Sequence, residues 1–440
     1  MTTIQLLQKS IDYIEENLKS ELSLSELAEI SGFSTFHFCR IFSNYVGMPV
    51  AAFITKRRLY HGIYEIQIGK KTIDIALLYG FNTYAGFFKA FKREFGCSPT
   101  KYLKLNTAKK PMAVNLIREA KIMLTQREIK QILSNWNLDS NLEIEDTFTL
   151  GGTAKSDNTW LINGKYIFKT GKNIAGLKTH IAISKELEKS GVLAATPIKT
   201  IEDEDFIIKD DKYFCLTNHI KGKFLTPEER YAGNRIEIGK KYGEAIGNLH
   251  KILKKQDKNL EVNDNNLLKT VLGWALPQTK ITMEQWGCPL PDRFYEDFTE
   301  NFSKLYNELP RHIIHRDPNP SNIMFHNDEV SGFIDFEISE RNVRIFDPCY
   351  CATGILAEAT TIADRFEKWD EILKGIITGY DSICKLTEAE KLAIPYVIYS
   401  IQMIFIAWLD GKEELKNLAM QNRKMLIWIW ENKDKCFESL

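Results

Sequence analysis

The segment His315–Asn322 (HRDPNPSN) and the later element Asp335–Glu337 (DFE) constrain this chain more than any other feature. Asp317 and Asn322 lie five residues apart on a tight loop, and Asp335 follows an apolar run. Phosphoryl transfer needs a carboxylate to deprotonate a hydroxyl, and an amide with a second carboxylate to hold the Mg²⁺ that neutralises ATP phosphates. The pattern therefore favours this chemistry. The plainer alternative is a polar surface loop before an ordinary strand.

Length and composition fit a protein of more than one domain. For 440 residues the usual domain size gives about three domains, with two acceptable. No run is expected to approach the ~18 uncharged apolar residues of a membrane span, and the N-terminus lacks an apolar signal core. We therefore expect a cytoplasmic protein without a membrane partner. Its eight scattered cysteines are expected to be reduced thiols.

The net charge of zero conceals an asymmetry along the chain. Residues 1–130 carry 19 Lys/Arg and 11 Asp/Glu, a net charge of +8, whereas the remaining 39 basic and 47 acidic residues give −8. Such a split indicates two units with different partners. The basic unit is a candidate for binding nucleic acid.

An internal repeat lies in the basic part of the chain. Ser25–Phe33 (SELAEISGF) matches Ile73–Phe81 (IDIALLYGF) after a shift of 48 residues. Each unit has the pattern of a short helix, a glycine turn and a second helix, with a small alanine where the two helices cross. The repeat predicts a pair of helix-turn-helix units; for each unit alone, an ordinary αα-hairpin is the alternative.

The outward faces of the two second helices favour DNA binding. Arg40 and Lys89 hold equivalent positions in the repeat, where a basic side chain can reach guanine O6/N7 or a phosphate. Phe36 or Tyr84 can touch a thymine methyl group. Glu94 is the one acidic residue that these two helices contain. The candidate DNA-binding residues are Thr35, Phe36, His37, Arg40, Thr83, Tyr84, Lys89 and Arg93.

Residues 1–105 resemble the two-headed DNA-binding domain of the AraC/XylS family of transcription activators. The closing signature that carries the resemblance is Gly80-Phe81, Phe87, Phe91-Lys92, Phe95-Gly96, Ser98-Pro99 and Tyr102. The resemblance implies an all-α double helix-turn-helix domain that binds double-stranded DNA sequence-specifically. Its connecting helix, about Val50–Ile68, would hold two recognition helices in successive major grooves about 34 Å apart.

The composition changes after residue 105. The polar segment Asn106–Pro111 predicts a linker, and Asn115–Leu124 predicts a connecting helix, so that 106–125 joins two domains. Alternating patterns then predict strands at 143–150, 159–162 and 165–170. Helical patterns dominate after residue 239. This order predicts an α+β arrangement of two lobes.

Three further elements fit nucleotide binding. Gly151, Gly152 and Thr153 lie in a predicted hairpin loop whose backbone N–H groups can cover phosphates. Lys169, on the third predicted strand, is placed to neutralise the α- and β-phosphates of ATP. Tyr213–His219 is the predicted interlobe strand, whose backbone would recognise adenine.

Residues 126–440 resemble the aminoglycoside phosphotransferase/choline kinase superfamily, which has a protein-kinase-like fold. The resemblance implies an N-lobe at about 126–220 and a C-lobe at about 221–440. It assigns Asp317 as the base, Asn322 and Asp335 as Mg²⁺ ligands, and Lys169 as an ATP ligand. Two positions depart from the superfamily pattern: Arg316 stands where glycine is common, and His180 lies near the place of the glutamate that pairs with the strand lysine, with Glu186 and Glu188 on later turns.

Two functions remain open at this level. The first is an ATP-dependent enzyme that phosphorylates a hydroxyl of a small molecule, fused to a transcriptional regulator. The second is a regulator whose kinase-like domain senses a ligand without significant turnover. Four acidic residues are candidates for attracting an amine-bearing substrate: Glu337, Glu358, Asp364 and Glu367. None of these motifs specifies an oligomeric state.

Overall fold

The chain divides into two compact units, Met1–Ser134 and Asn135–Leu440. The computed structural model describes residues 3–46, 48–95, 97–105, 108, 111, 114, 126–139, 141–148, 155–412 and 415–438. The predicted phosphate-covering loop Gly151–Thr153 and most of segment 106–125 lie outside these residues. The helix Gln126–Leu133 falls in the first unit. The domain boundaries drawn from the sequence stay predictions.

The first unit is built from helices, and two pairs of them form the predicted helix-turn-helix units. The pairs are α2–α3 and α5–α6, with the long helix α4 between them. The helices are α1 Thr3–Glu16, α2 Leu24–Ile30, α3 Thr35–Val46, α4 Val50–Gln67, α5 Thr72–Leu78, α6 Tyr84–Phe95, α7 Pro99–Leu105 and α8 Gln126–Leu133. The predicted connecting helix is thereby confirmed, one residue shorter at its end.

The repeat glycines and alanines have the roles that the sequence predicts. Gly32 and Gly80 both adopt a left-handed backbone, with φ of +70° and +75°, which glycine reaches without strain. A Cβ on Gly80 would also lie 2.7 Å from Nη1 of Arg58. Ala28 and Ala76 are buried between their helices. Both turns are therefore fixed by local backbone chemistry.

Two apolar clusters fill the first unit, one around α3 and one around α6, and Ile75 and Tyr79 also pack into the cluster around α3. Phe38 and Phe42 are buried with residues of α1 in one core, and Phe87 and Phe91 are buried in the other. Among the described linker residues, Ala108 pairs with the Gln67 side chain: its carbonyl accepts from Nε2 at 2.9 Å and its N–H donates to Oε1 at 2.5 Å. The start of the predicted linker is therefore held on the first unit.

The second unit contains three sheets. Their orders are β1-β2-β3-β6-β5, β4-β10-β9 and β7-β11-β8. The strands are β1 Ile144–Phe148, β2 Lys155–Ile162, β3 Tyr166–Gly171, β4 Leu193–Ala194, β5 Ile207–Lys209, β6 Lys212–Asn218, β7 Asn263–Asp264, β8 Arg311–Ile314, β9 Ile323–His326, β10 Glu329–Phe333 and β11 Glu340–Val343. The predicted hairpin is confirmed at the β2–β3 turn, where Asn163 and Gly164 both have positive φ.

Helices make up most of the rest of the second unit. They are α9 Ile174–Lys189, α10 Pro227–Tyr231, α11 Arg235–Lys255, α12 Leu267–Thr270, α13 Leu276–Gln285, α14 Asp292–Asp297, α15 Ser303–Tyr306, α16 Phe346–Glu358, α17 Arg365–Ile383, α18 Glu388–Leu409, α19 Lys416–Glu431 and α20 Lys433–Phe437. The five-stranded sheet precedes this helical part in the chain. The predicted α+β fold is thereby confirmed.

Helices α11 and α17 cross unusually closely because glycines face each other. A Cβ on Gly243 would lie 2.0 Å from the carbonyl oxygen of Ile376, and one on Gly379 would lie 2.4 Å from that of Lys240. A side chain at either position would force the two backbones apart. The crossing matters for the site described below, because α11 and α17 contribute His250 and Tyr380 to the same buried cluster.

One helix among the described residues, α18, is long and apolar enough to cross a membrane, with a mean hydropathy of 1.8. The expectation that no segment has this length and composition is therefore wrong, since 392–409 carries no charged residue. In the fold, 67% of the apolar window is buried inside the protein. A core helix and a membrane helix share this composition. In this fold, packing of α18 inside the protein accounts for its apolar residues.

Candidate active site

The pairing of two small sheets brings the two motif loops together. Loop 315–322 runs from β8 to β9, and loop 334–339 runs from β10 to β11. Because β8 pairs with β11 and β9 pairs with β10, both ends of one loop lie beside the ends of the other. Hydrogen bonds join the loops directly: Ile334 N–H donates to the Asn322 carbonyl at 3.0 Å, and His315 Nε2 donates to the Ile334 carbonyl at 3.0 Å.

A buried carboxylate anchors the start of loop 315–322. Asp347 accepts the backbone N–H groups of His315 at 2.7 Å and Arg316 at 3.0 Å, and Nε2 of His250 at 2.9 Å. Burial lowers the pKa of His250 to about 3, so its neutral ring donates from Nε2 and accepts the Tyr380 hydroxyl at Nδ1, 2.8 Å away. The core thus fixes the loop backbone.

The backbone conformation at Arg316 is one that glycine adopts most easily. Its backbone is left-handed, with φ of +75°, a conformation that strains any residue with a Cβ. Its guanidinium pairs with Glu340 at 2.9 Å and lies 4.2 Å from the centroid of the Phe346 ring. These contacts offset the strain, so the loop keeps its shape despite the expected departure from glycine.

Asp317 is held by two polar side chains. Nδ2 of Asn322 donates to its carbonyl at 2.9 Å and to its carboxylate Oδ2 at 3.1 Å, and the hydroxyl of Tyr350 also donates to the carboxylate. Burial nevertheless raises the pKa of Asp317 to about 6. A fixed carboxylate with a pKa near neutrality is suited to accept a proton from a hydroxyl.

Lys169 takes its acidic partners from the loop after β10. Its Nζ lies 3.1 Å from Oδ1 of Asp335 and 2.7 Å from Oε1 of Glu337. The Tyr213 hydroxyl donates to the same Oε1 at 2.8 Å. Burial works to raise the pKa of Asp335, but the nearby charge of Lys169 prevails and lowers it. Asp335 is therefore ionised at neutral pH.

His180, which lies near the expected place of the glutamate partner of Lys169, contacts backbone groups instead. Its Nε2 lies 3.2 Å from the carbonyl of Ala195, and its Nδ1 accepts the N–H of Phe336 at 3.3 Å. Burial lowers its pKa to about 4, so the ring is neutral. Of the two later glutamates, Glu186 pairs with Lys189, and Glu188 accepts from Thr196.

The oxygen donors present fit a hard divalent cation. Asn322 supplies an amide oxygen, and Asp335 retains a carboxylate oxygen, Oδ2, beside the one that contacts Lys169. Among the described residues, no group of three or more His, Cys, Asp or Glu side chains is arranged to hold a metal. Mg²⁺ typically takes one or two protein ligands and completes its shell with phosphate oxygens and water. This donor set suits such a metal and not a closed protein cage.

The candidate DNA-binding residues lie on or just before α3 and α6. Of the eight, Thr35, Arg40, Thr83, Tyr84, Lys89 and Arg93 are exposed and His37 is partly exposed, while the side chain of Phe36 lies outside the described residues. Thr83 also caps α6, since its hydroxyl accepts the Gly86 N–H at 3.0 Å. Glu94 pairs with Lys56 at 2.8 Å. The exposed faces of both helices are therefore basic.

Comparisons with known proteins agree with both units. The profile of a helix-turn-helix domain matches residues 27–105. The transcriptional activator AarP of Providencia stuartii is 38% identical over 98 residues, which cover 22% of this chain and 73% of AarP. The uncharacterised regulator YbfP of Bacillus subtilis is 38% identical over 107 residues, 23% of this chain and 36% of YbfP. This chain therefore spans only about a third of YbfP.

The profile of the phosphotransferase enzyme family matches residues 152–385, more than half of the chain. Among solved structures, the amicoumacin kinase hAmiN has a TM-score of 0.51 at 14% identity, over 70% of this chain and 95% of that one. An aminopropanol kinase has a TM-score of 0.50 at 14% identity, over 71% and 99%. At this identity the likeness shows the fold. The chain belongs to the phosphotransferase enzyme family and carries an AraC-type helix-turn-helix domain at its N-terminus.

Proposed function

We propose that the second unit transfers a phosphoryl group from ATP to a hydroxyl of a small molecule, and that the first unit binds specific DNA sites. One observation carries the catalytic proposal. Asp317, with a raised pKa, and Asp335, ionised beside Lys169, lie on two loops that hydrogen-bond to each other. Their proximity supports a base beside a phosphate-binding pair.

Each side chain has a defined part in this mechanism. Lys169 would contact the α- and β-phosphates of ATP, with Glu337 holding its ammonium in place. Asn322 and Asp335 would hold Mg²⁺, which neutralises phosphate charge when bound. Asp317 would accept the proton of the acceptor hydroxyl as its oxygen attacks the γ-phosphorus. Gly151, Gly152 and Thr153 remain the proposed backbone contacts to phosphate.

The raised pKa of Asp317 predicts a pH dependence of turnover. A general base acts only when ionised, so turnover of the acceptor is expected to fall as the pH drops through about 6. Well below that value it should fall about tenfold per pH unit. Rates measured from pH 4.5 to 8 at saturating Mg·ATP test this, with the affinity for Mg·ATP followed in parallel. A rate that stays constant down to pH 4.5 would contradict the assignment.

The alternative function is a ligand sensor without significant turnover. It needs a binding cleft and a response to ligand, but it has no need of a positioned base and two metal ligands together. Asn322 and Tyr350 both hydrogen-bond to the Asp317 carboxylate, and a carboxylate held in this way supports the enzyme. ATP consumption measured with candidate hydroxyl acceptors separates the two functions. Both ATP and DNA are found in the cytoplasm, where we propose that the protein acts.

Binding of DNA is expected to depend on the basic side chains of both recognition helices. Arg40→Ala or Lys89→Ala should weaken binding to a two-half-site duplex by about 1–3 kcal/mol where the side chain reads a base. Titrations of the full chain at several salt concentrations should also show an affinity that falls with salt. Lys70→Ala is the matched control, because Lys70 is an exposed basic residue outside α3 and α6 that pairs with Glu65. Equal affinities for all four proteins would exclude this surface.

A further inference from the structure

A cleft of about 980 Å³ in the second unit adjoins the candidate base. Arg316 and Tyr350, the neighbour and the hydrogen-bond partner of Asp317, both line it. Its volume is that of a site for a drug-sized molecule. Tyr350, whose hydroxyl hydrogen-bonds to the Asp317 carboxylate, joins the candidate base to this cleft. The chemistry of the side chains around this cleft therefore indicates which kind of acceptor fits it.

One wall of the cleft is apolar and aromatic. Four of its side chains follow the spacing of one face of α18, and Phe346 and Tyr350 continue the wall from α16. The six residues are Phe346, Tyr350, Ile401, Ile404, Phe405 and Trp408. Trp408 remains 49% exposed, with Lys412 Nζ 3.2 Å from its ring centroid. A large exposed indole beside a deep cleft is suited to contact an apolar ligand.

The charged residues that line the cleft, two basic and three acidic, leave a surplus of one carboxylate, which is too few for a polycation. The Arg316 guanidinium pairs with Glu340, and Lys169 pairs with Glu337. The two remaining charged residues of the lining, Lys178 and Glu261, are both exposed and carry opposite charges.

Of the other three acidic residues that the sequence offers for an amine, two are paired, and the third, Glu367, is exposed and lies outside the lining of the cleft. Glu358 binds the buried Arg230 at 2.7 Å, and Asp364 binds Lys368 at 2.6 Å. An acceptor with many amino groups would therefore find its charges unmatched.

A second cavity, of about 330 Å³, shares Tyr350 and Phe405 with the cleft and reaches Asn319 of loop 315–322. Gln402 lines it and is 1% exposed, and within the described part of the chain its Oε1 has no hydrogen-bond partner. Buried polar atoms are rarely left unpaired, because an unpaired one loses its hydration without compensation. Among the described residues, Oε1 of Gln402 is therefore an unpaired acceptor beside this cavity.

We propose that the acceptor is a hydroxylated molecule with an apolar, ring-bearing body and at most one positive charge. Its body lies on the α18 wall beside Trp408, its reactive hydroxyl meets Asp317, and an N–H or O–H donor reaches Oε1 of Gln402. This inference rests on the proposed function for the position of the hydroxyl. The identity of the ligand class rests on the wall and on the paired charges alone.

Binding to the full chain, measured by calorimetry with Mg²⁺ and a non-hydrolysable ATP analogue, tests the class with or without turnover. The probes are ring-bearing amino alcohols such as phenylalaninol with their N-acetyl forms, small amino alcohols such as 1-amino-2-propanol, and kanamycin. Members of the first set should bind at least about tenfold more tightly than the other two. Tighter binding of kanamycin, or no binding by any ring-bearing probe, would overturn the proposal. Absence of binding by the ATP analogue would instead count against the proposed function.

Two variants locate the binding site. Trp408→Ala should weaken the ring-bearing probes by about tenfold, whereas Leu392→Ala, at an exposed apolar residue of the same helix outside the cleft, should not. Gln402→Leu should weaken binding of the N-acetyl probe, whose amide N–H is the intended donor. It should weaken binding of the N-methyl-N-acetyl probe, which lacks this N–H, to a smaller extent. An unchanged affinity in Trp408→Ala would show that the ligand lies elsewhere, and equal losses for the two N-acetyl probes would overturn the contact between the ligand N–H and Gln402.

Discussion

Replacing Asp317 with asparagine is expected to reduce turnover of the hydroxyl acceptor by about 10²–10⁴-fold, with little effect on the affinity for Mg·ATP. The substitution keeps the size of the side chain and its contacts with Asn322 and Tyr350. It removes the negative oxygen that takes the proton from the attacking hydroxyl. Since this loss is felt only as the proton moves, kcat should fall while KM for ATP stays nearly constant.

Single-turnover rates and calorimetric titration with an ATP analogue measure these two effects separately. Asp328→Asn is the matched control: Asp328 is an exposed aspartate in the β9–β10 turn with φ of +63°, which asparagine also tolerates. It should leave both quantities unchanged. Wild-type turnover in Asp317→Asn would rule out this residue as the base, and a loss of nucleotide binding would place it at the phosphates.

The main features of the fold could be predicted because they are encoded locally. Glycine at positions 32 and 80 predicts a left-handed backbone at each turn. In the same way, Asn163-Gly164 predicts a hairpin turn. The helices around them follow apolar spacing that needs no knowledge of distant residues. Both loops of the candidate site were likewise visible, since each is a short contiguous motif.

The partner of Lys169 could not be predicted in the same way. Spacing along α9 led to His180, Glu186 and Glu188, because a helix is the element whose neighbours can be counted. The observed partner, Glu337, lies 168 residues further along the chain. Its loop is held near the lysine by contacts that no local pattern states: β10 pairs with β4, and the Phe336 N–H donates to His180 of α9.

The environment of helix α18 could not be predicted from its composition. An uncharged apolar stretch indicates that a helix is shielded from water, but lipid and a protein core provide this shielding equally well. Only the burial of two-thirds of its window by the rest of the second unit shows which applies here. The same packing leaves Trp408, near the end of the helix, 49% exposed, which the sequence does not reveal.

Replacing Asp335 with asparagine is expected to remove the Mg²⁺-dependent part of ATP binding. Loss of an outer-shell partner of a metal ligand typically costs 10–100-fold in metal affinity, so loss of a direct carboxylate ligand should cost about 100-fold or more. Asparagine is a cleaner change than alanine, because the backbone of Asp335 has φ of +66° and asparagine tolerates that region. Lys169 keeps Glu337 as a partner, 2.7 Å away, so metal-free ATP binding should persist.

Glu337→Gln separates the two roles of this loop. It weakens the hold on Lys169, through the contact at 2.7 Å, but it leaves the proposed metal ligands Asn322 and Asp335 in place. We expect it to lower ATP affinity about equally with and without Mg²⁺, whereas Asp335→Asn lowers it with Mg²⁺ alone. Titrations of ATP into each variant, with Mg²⁺ and with EDTA, give the comparison. If both variants lose the same metal-dependent increment, the cation is held by the whole acidic loop and not by Asp335 in particular.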